Sequence, residues 1–255
     1  MVSLYEDTIK KIKLKKELSG VSNSVIDSLI KNYESKHHIS LFSLKEKEIK
    51  LIIKEIRLIL RNLSGRFKLN KKVKKLEGSQ ENQLNTHSST KERLHFYPEL
   101  KKIIDSLDIK SILDLGGGLN PIALAAKSVK YYASDIDEEN LMAVKIHFEK
   151  NNIKGDTFVH DLKNTSEPLP KAELIILFKV IDIIDDKKHH LSEKIITSFK
   201  SKYILISFAT KKISGKHMRF PRRIWFEKMI KRLNFKYRVF ETQNEVFYLL
   251  EENFE

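Results

Sequence analysis

The residues of this chain best suited to bind a ligand are three consecutive glycines flanked by carboxylates. Gly116–Gly118 follow the apolar run 112–115, which contains Asp114, and Asp135 lies 19 residues after the first glycine. Glycines let the backbone approach a ligand closely. A carboxylate at this distance from such a loop can accept hydrogen bonds from a ribose. The pattern predicts a nucleoside-type ligand at the carboxyl edge of a parallel sheet.

The residues after the glycines argue against a dinucleotide. A dinucleotide loop reads Gly-x-Gly-x-x-Gly, whereas the sixth position counted from Gly116 is Pro121. S-adenosylmethionine has an amino group, a sulfonium and a ribose, so Asp114 and Asp135 suit it better than NAD. Asp161 ends a third apolar run and can either reach an adenine amine or cap a loop. We therefore predict S-adenosylmethionine as the cofactor and no metal.

Short apolar runs alternate with helical stretches in the segment that carries these residues. The runs are 112–115, 131–134, 157–159, 174–178, 204–208, 235–240 and 246–250. Strands separated by helices form a parallel sheet covered on both faces, and the last two runs predict an antiparallel hairpin. We expect an α/β fold of the class I methyltransferase type: a Rossmann-like, seven-stranded, mostly parallel sheet. Asn120 and Asp137 are expected to cap the helices that follow the first two strands.

The N-terminal part has a different pattern, with helical apolar spacing and no proline in residues 1–77. It predicts an all-α domain with helices at 3–18, 22–35, 43–63 and 66–77, in which Ser22 caps the second helix and Ser43 with Glu46 forms a capping box for the third. Residues 78–89 are polar and predict a linker. A helix from Thr90 then opens a methyltransferase domain, 90–255.

Positive charge is concentrated in two blocks. Residues 1–80 hold 19 Lys and Arg against nine Asp and Glu, and residues 211–238 hold 11 against one. Such clusters favour a polyanionic partner, although a solvated surface is the alternative. Because the second block follows the fifth strand, at the ligand edge of the sheet, we expect RNA contacts there from Lys212, Lys216, Arg219, Arg222 and Arg223. The first block is remote in sequence from the cofactor motifs, so we expect it to dock RNA without affecting cofactor binding.

Several chemistries are excluded by composition. The chain has no cysteine, which removes disulfides, thiolate metal sites and a cysteine nucleophile. The residues after the fourth strand, 178–182, lack the Asn/Asp-Pro-Pro-aromatic motif used to methylate exocyclic amines. The remaining nucleophiles are a guanine ring nitrogen or a hydroxyl with an unidentified base, and no catalytic residue is assigned. No leader or membrane segment is evident, so we expect a soluble, cytoplasmic monomer.

Several short motifs resemble, in the same order, the aminoglycoside-resistance 16S ribosomal RNA (guanine-N7) methyltransferases. They are Thr86-His-Ser-Ser-Thr-Lys-Glu-Arg-Leu94, Gly118-Leu-Asn-Pro121, Phe178-Lys179, Ser207-Phe-Ala-Thr210, Gly215-Lys-x-Met218, Trp225-Phe-Glu227 and Asn244-Glu-x-x-Tyr-Leu249. The resemblance covers roughly residues 86–250. It implies methylation of N7 of a decoding-site guanine in the small ribosomal subunit.

The resemblance also implies roles for individual residues. Arg93 would hold the methionine carboxylate, the glycines would contact the amino end, Asp135 the ribose, and Asp161 with Leu162 the adenine. The complete set of expected cofactor residues is Arg93, Asp114, Gly116, Gly117, Gly118, Asp135, Ile136, Asp161, Leu162 and Phe178. A methyltransferase acting on transfer RNA or another substrate, and a non-catalytic ribosome-associated RNA-binding protein, remain the alternatives.

Overall fold

Seven strands form one sheet within residues 3–69, 79–164, 167–185, 188–211 and 216–252, the residues that the computed structural model describes. The strands are β1 (Ser111–Leu115), β2 (Lys130–Asp135), β3 (Gly155–Val159), β4 (Leu174–Phe178), β5 (Tyr203–Ala209), β6 (Lys236–Glu241) and β7 (Glu245–Glu251). Their order is β3-β2-β1-β4-β5-β7-β6. The first five pair in parallel, and β7 is antiparallel to both of its neighbours. The predicted fold class is confirmed.

Burial along the strands explains this arrangement. Every residue of β4 is buried, since the strand lies in the middle of the sheet with helices on both faces. In β6, at the edge, every residue is exposed or half-buried. Because parallel strands share one direction, the carboxyl ends of β1 to β5 meet at one edge, and the loops that follow them meet there too.

The helices cover both faces of the sheet and also form the N-terminal region. They are α1 (Leu4–Lys13), α2 (Asn23–His37), α3 (Glu46–Leu63), α4 (Gln80–Leu84), α5 (Ser88–Arg93), α6 (Tyr97–Asp105), α7 (Asn120–Leu124), α8 (Glu138–Lys150), α9 (Ile181–Ile184), α10 (His190–Ser198) and α11 (Ile224–Arg232). Among the described residues, no helix has the length and apolar character that crossing a membrane would require.

The first three predicted helices are present, but their caps differ from expectation. Ser22 occupies the N-cap position of α2, yet its hydroxyl makes no capping bond and donates instead to Glu138. The capping box at Ser43 is wrong, because α3 begins only at Glu46 and the Lys45 amide donates to the Glu48 carboxylate. Ser43 donates to the Ser40 carbonyl. Most of the predicted helix 66–77 lies outside the described residues.

The chain between the N-terminal helices and β1 is more structured than its polarity suggests. Within the predicted linker, α4 packs against α7: Leu84 is buried and the Gln80 side-chain amide nitrogen donates to the Ile122 carbonyl. The helix predicted from Thr90 is divided into α5, a short 3-10 turn and α6. Pro98 explains the division, because proline lacks an N–H and is best accommodated in the first turn of a helix.

The N-terminal helices have their own apolar core and pack against the sheet beside β2. Ile12, Ile26, Ile56 and Leu60 are fully buried in this core, which also contacts Ile136. Backbone hydrogen bonds join the two regions, from the Ser22 amide to the Ile136 carbonyl and from the Glu138 amide to the Gly20 carbonyl. The helical region is therefore attached to the loop that follows β2.

Candidate functional site

A cavity opens at the carboxyl edge of the sheet, among the loops that follow β1, β2, β3 and β4. The residues lining it are Leu63, Ser64, Phe67, His87, Ser89, Gly116, Gly118, Asp135, Ile136, His160, Asp161, Leu162, Phe178, Lys179, Val180, Ile183 and Ile184.

The glycine loop after β1 presents its backbone to this cavity. Gly116 and Gly118 have φ values of +66° and +55°, a left-handed conformation that L-residues with a side chain adopt only at a cost. The Gly118 amide donates to Asp135 Oδ2 at 2.8 Å, and the Asp137 amide donates to Asp135 Oδ1 at 2.8 Å. Two backbone donors thus fix the orientation of the Asp135 carboxylate at the cavity wall.

Asp114 lies beneath the glycine loop and is fully buried. Its Oδ2 accepts a hydrogen bond from the Tyr131 hydroxyl at 2.8 Å, whereas its buried Oδ1 has no hydrogen-bond partner among the described residues. Burial raises the pKa of Asp114 to about 7, although the Tyr131 hydrogen bond and the charge of Arg93 act in the opposite direction. A Cβ placed on Gly117 would lie 2.7 Å from the Asp114 carboxyl carbon. The loop therefore covers the carboxylate closely, and this position requires glycine.

Arg93 lies behind the cavity wall in a buried polar network. Its Nη2 is 2.9 Å from a carboxylate oxygen of Glu245, and both side chains are almost inaccessible. Its Nη1 donates to Asn120 Oδ1 at 2.5 Å, and its guanidinium carbon lies 4.7 Å from the centroid of the Phe178 ring. Glu245 and Asn120 thus already bind the Arg93 guanidinium, the group that the resemblance assigns to the methionine carboxylate.

Lys179 connects this network to the cavity. Its ammonium lies 2.6 Å from Glu92 Oε2 and 3.1 Å from Glu245 Oε1. Burial alone would raise the pKa of Glu245, but Arg93 and Lys179 together lower it below its ordinary value. Lys179 has a positive φ of 56°, unusual for a residue with a side chain, and its amide donates to the Ser207 carbonyl at 2.9 Å. The fold holds this cation in a strained conformation at the cavity wall.

The structure brings most of the expected cofactor residues together. Seven of them line the cavity: Gly116, Gly118, Asp135, Ile136, Asp161, Leu162 and Phe178. Arg93, Asp114 and Gly117 lie behind this lining. The expected cap at Asn120 is wrong, because the N-cap position of α7 is Leu119 and Asn120 is already the first residue of the helix. The side-chain oxygen of Asn120 accepts hydrogen bonds from Arg93 and Tyr97 instead. The expected cap at Asp137 is confirmed by hydrogen bonds from the Glu139 and Asn140 amides.

Several lining residues were not predicted. Lys179 and Ser89 belong to matched motifs, so the resemblance contained a signal for them. Leu63, Ser64 and Phe67 come from the N-terminal region, and no motif marks them. These three residues line the same cavity as Gly116 and Asp135, so the N-terminal region contributes to its wall although it is remote in sequence from the cofactor motifs. That the first basic block leaves cofactor binding unaffected stays a prediction.

The second basic block follows β5 at the same edge of the sheet, but its arginines differ in their surroundings. Arg223 is mostly buried and lies 2.6 Å from Asp182 Oδ2, and it also donates to the Ala209 and Pro221 carbonyls. Arg222 lies 2.7 Å from Glu227 Oε1, with half of its side chain exposed. Lys216 and Arg219 are both exposed on the surface. Lys212 lies outside the described residues.

Sequence comparison relates this chain to RNA-modifying enzymes. A family model described as ribosomal RNA methyltransferase (FmrO) matches residues 55–248. A 16S rRNA (guanine(1405)-N(7))-methyltransferase of Proteus mirabilis is 31% identical over 140 residues, which are 52% of this chain and 50% of that protein. The aligned region thus spans about half the length of this curated relative.

Solved structures extend the similarity to nearly the whole chain. The 16S rRNA methylase RmtB superposes with a TM-score of 0.75 at 19% identity, covering 99% of this chain and 100% of that one. RmtF, solved in complex with S-adenosyl-L-homocysteine, gives 0.74 at 19% identity with the same coverage. An rRNA methylase from Escherichia coli gives 0.72 at 16% identity, covering 98% of this chain and 100% of that one. At these identities the likeness establishes the fold, including the N-terminal helices.

Proposed function

Because this chain belongs to the FmrO family of ribosomal RNA methyltransferases, we propose that it transfers a methyl group from S-adenosylmethionine to N7 of a guanine in the decoding site of small-subunit 16S ribosomal RNA. The relative from Proteus mirabilis carries the same reaction in its name. The observation that carries the proposal is the cavity at the carboxyl edge of the sheet, where the glycine loop and Asp135 meet.

The residues at this edge fit S-adenosylmethionine. The left-handed glycines form a cradle that a Cβ would fill, and Asp114 supplies negative charge beneath it through a buried oxygen that no described residue contacts by a hydrogen bond. A cationic amino group above the loop would compensate this charge. The oriented carboxylate of Asp135 can accept hydrogen bonds from the ribose hydroxyls, and Asp161 with Leu162 can contact the adenine. When bound, the cofactor supplies an electrophilic methyl group on a positively charged sulfur.

The roles of the remaining expected residues follow from their positions. Gly117 permits the close cover over Asp114, while Ile136 and Phe178 supply apolar wall. Arg93 contributes by holding Glu245 and by packing against Phe178. A methionine carboxylate would have to compete with Glu245 for Arg93, which lies behind the cavity wall. It would also compete with Glu92 and Glu245 for Lys179, but Lys179 lines the cavity. We therefore assign Lys179, together with Arg93, to the negatively charged end of the cofactor.

The chemical step that these residues support is chiefly one of positioning. N7 of guanine carries a lone pair and no proton, so methylation at this atom needs no general base. The chain binds the cofactor, holds the base in line with the methyl group and excludes water from the cavity. Since N7 lies in the major groove of an RNA helix, the target nucleotide must be unstacked and turned toward the protein.

We assign docking of the RNA to the two basic blocks. The helical domain, 1–77, carries the first block, and residues 78–89 join it to the methyltransferase domain, 90–255. Lys212, Lys216 and Arg219 belong to the segment after β5 and are assigned to the phosphates, and Arg222 supplements them. Arg223, which is bound to Asp182, holds this segment against the sheet. The positive charge of the two blocks favours a folded RNA as the partner, and we expect the enzyme to act in the cytoplasm as a monomer.

The proposal is tested by transfer of a radiolabelled methyl group from S-adenosylmethionine. Purified small subunits, free 16S RNA and bulk transfer RNA are compared as substrates at a limiting cofactor concentration, with Asp135→Ala as the control of reduced cofactor affinity. We expect label in the small subunit that depends on Asp135. Label confined to transfer RNA would assign the enzyme to another substrate, and binding of small subunits without transfer of label would identify a non-catalytic RNA-binding protein.

A further inference from the structure

One wall of the cofactor cavity comes from outside the methyltransferase domain. Leu63 ends α3, and Ser64 and Phe67 belong to the turn that follows it, yet all three line the cavity together with Gly118 and Asp135. The sheet and its loops therefore enclose the cavity only in part. The N-terminal helical region completes the wall with the apolar side chains of Leu63 and Phe67.

Phe67 is connected to the glycine loop through His87. The two rings are stacked, with centroids 5.5 Å apart and planes 16° from parallel. A Cβ placed on Gly118 would lie 3.4 Å from Cε1 of His87, so the imidazole is in contact range of the loop. Phe67, His87 and Gly118 thus lie next to one another and connect the N-terminal region to the glycine loop.

Lys68 attaches the same segment to the loop after β2. Its ammonium lies 2.5 Å from Asp137 Oδ2, and the side chains are 11% and 0% exposed. Asp137 also caps α8, and its backbone amide donates to the Asp135 carboxylate. Asp137 therefore links Lys68 to the carboxylate that we assign to the ribose. On the other side, the Leu69 amide donates to the Thr86 carbonyl at 3.0 Å. Phe67 is therefore held in place from both sides of the cavity.

We propose that Phe67 is a cofactor-site residue supplied by the helical region, and that the ion pair between Lys68 and Asp137 positions it. The ring excludes water from the bound cofactor and adds apolar contact to one face of the site. This inference rests on the proposed function, since it assumes that the cavity binds S-adenosylmethionine. It means that the cofactor site depends on the region that also carries the first basic block.

The test is calorimetric titration of the full chain with S-adenosylhomocysteine. Phe67→Ala should weaken binding roughly five- to thirtyfold, the effect expected when apolar burial of about 40–80 Å² is removed. Lys68→Met should weaken it in the same direction, because the wall is no longer attached to Asp137. Phe42→Ala is the matched control: Phe42 is an aromatic residue of the same helical region, 68% exposed and outside the cavity. It should bind like the unsubstituted chain.

The titration also separates a cofactor role from a defect in folding. A misfolded fraction would reduce the binding stoichiometry, whereas a missing apolar interaction lowers the affinity at unchanged stoichiometry. Phe67→Leu, which keeps an apolar side chain, provides a second variant with a milder expected effect. Wild-type affinity in both Phe67 variants would overturn this inference and leave the proposed function intact. Absence of binding by the unsubstituted chain would overturn the proposed function and this inference with it.

Discussion

Arg93 and Glu245 form a buried ion pair that joins α5 to β7 across 152 positions of the chain. Both side chains are almost fully inaccessible, at 1% and 2% exposure. Charges in such surroundings are tolerated only when they are paired and hydrogen-bonded. Asn120, Tyr97, Ser207 and Lys179 supply these additional partners. The pair therefore secures the wall of the cavity that contains Phe178 and Lys179.

We expect removal of either partner to destabilise the fold strongly. Arg93→Met leaves Glu245 without its guanidinium, and Glu245→Gln leaves Arg93 and Lys179 without the carboxylate that they share. Each change should lower the free energy of unfolding by roughly 3–5 kcal/mol, measured by urea denaturation. Arg232→Met is the control, because Arg232 pairs with Glu193 at the exposed surface and should cost about 1 kcal/mol or less. Equal effects of the buried and exposed substitutions would contradict this interpretation.

The position of Asp135 predicts a direct effect on cofactor affinity. Asp135→Ala should weaken S-adenosylhomocysteine binding by roughly 1–3 kcal/mol, or about 5- to 150-fold, because buried ribose hydroxyls lose their acceptor. Calorimetry measures this change. Asp156→Ala is a suitable control, since Asp156 is an exposed residue on the neighbouring strand β3. Unchanged affinity in the Asp135 variant would remove this residue from the ribose.

Burial of Asp114 predicts that cofactor binding depends on pH. The pKa of Asp114 is raised by burial to about 7, and the amino group of the cofactor favours the ionised carboxylate. Binding therefore releases a proton below pH 7, and the affinity should rise as the pH increases toward about 7. Titrations in buffers with different ionisation enthalpies measure the released proton. Asp114→Asn should abolish this proton release. Proton release that persists in the variant would have to come from another group.

The same pKa shift has the opposite consequence for stability. The folded protein binds the Asp114 proton more tightly than the unfolded chain, whose carboxyl group has a pKa near 3.8. The contribution of Asp114 to the free energy of unfolding therefore decreases as the pH rises from about 4 to about 7, and it is constant above this range. Asp114→Asn should gain stability over the unsubstituted chain with rising pH. A difference independent of pH between 4 and 8 would contradict this assignment.

The surroundings of the second basic block predict which of its residues determine the salt dependence of RNA binding. Lys216→Ala with Arg219→Ala should flatten the slope of log affinity against log salt by somewhat under one unit for each phosphate interaction that is removed. Arg223→Ala should mainly reduce stability, because its partner Asp182 is left behind. The control is the double variant Lys154→Ala with Lys200→Ala. Both residues lie before parallel strands, β3 and β5, and so at the amino ends of the strands, away from the ligand edge. A parental slope in the first double variant would indicate a solvated surface.

Much of the sheet could be predicted because its signals are local. Each apolar run between 112 and 250 corresponds to a strand, and the positions of the glycine loop, Asp135 and Asp161 follow from the rule that parallel strands end at one edge. Asp137 caps α8 through bonds to residues two and three positions away. In these places the chain itself specifies the geometry.

The remaining features depend on contacts between distant parts of the chain. Glu245 is an ordinary acid at the start of a strand, and only the fold places Arg93, 152 positions away, beside it. Asn120 resembles a cap in sequence, but its side chain is used by Arg93 and Tyr97. Phe67 carries no motif because its role in the cavity depends on the packing of α3 against the loop after β2. Tertiary contacts of this kind leave no periodic signal in the sequence.

The central claim is methylation of a guanine N7 in 16S ribosomal RNA, and mapping of the modified nucleotide tests it most directly. Small subunits are incubated with the full chain and S-adenosylmethionine, and the extracted RNA is treated with borohydride and aniline, which cleave at N7-methylguanosine. Primer extension then locates the break. We predict one new stop at a decoding-site guanine, which is weaker with Asp135→Ala at a limiting cofactor concentration. Methyl incorporation into this RNA without aniline-dependent cleavage would contradict N7 as the target.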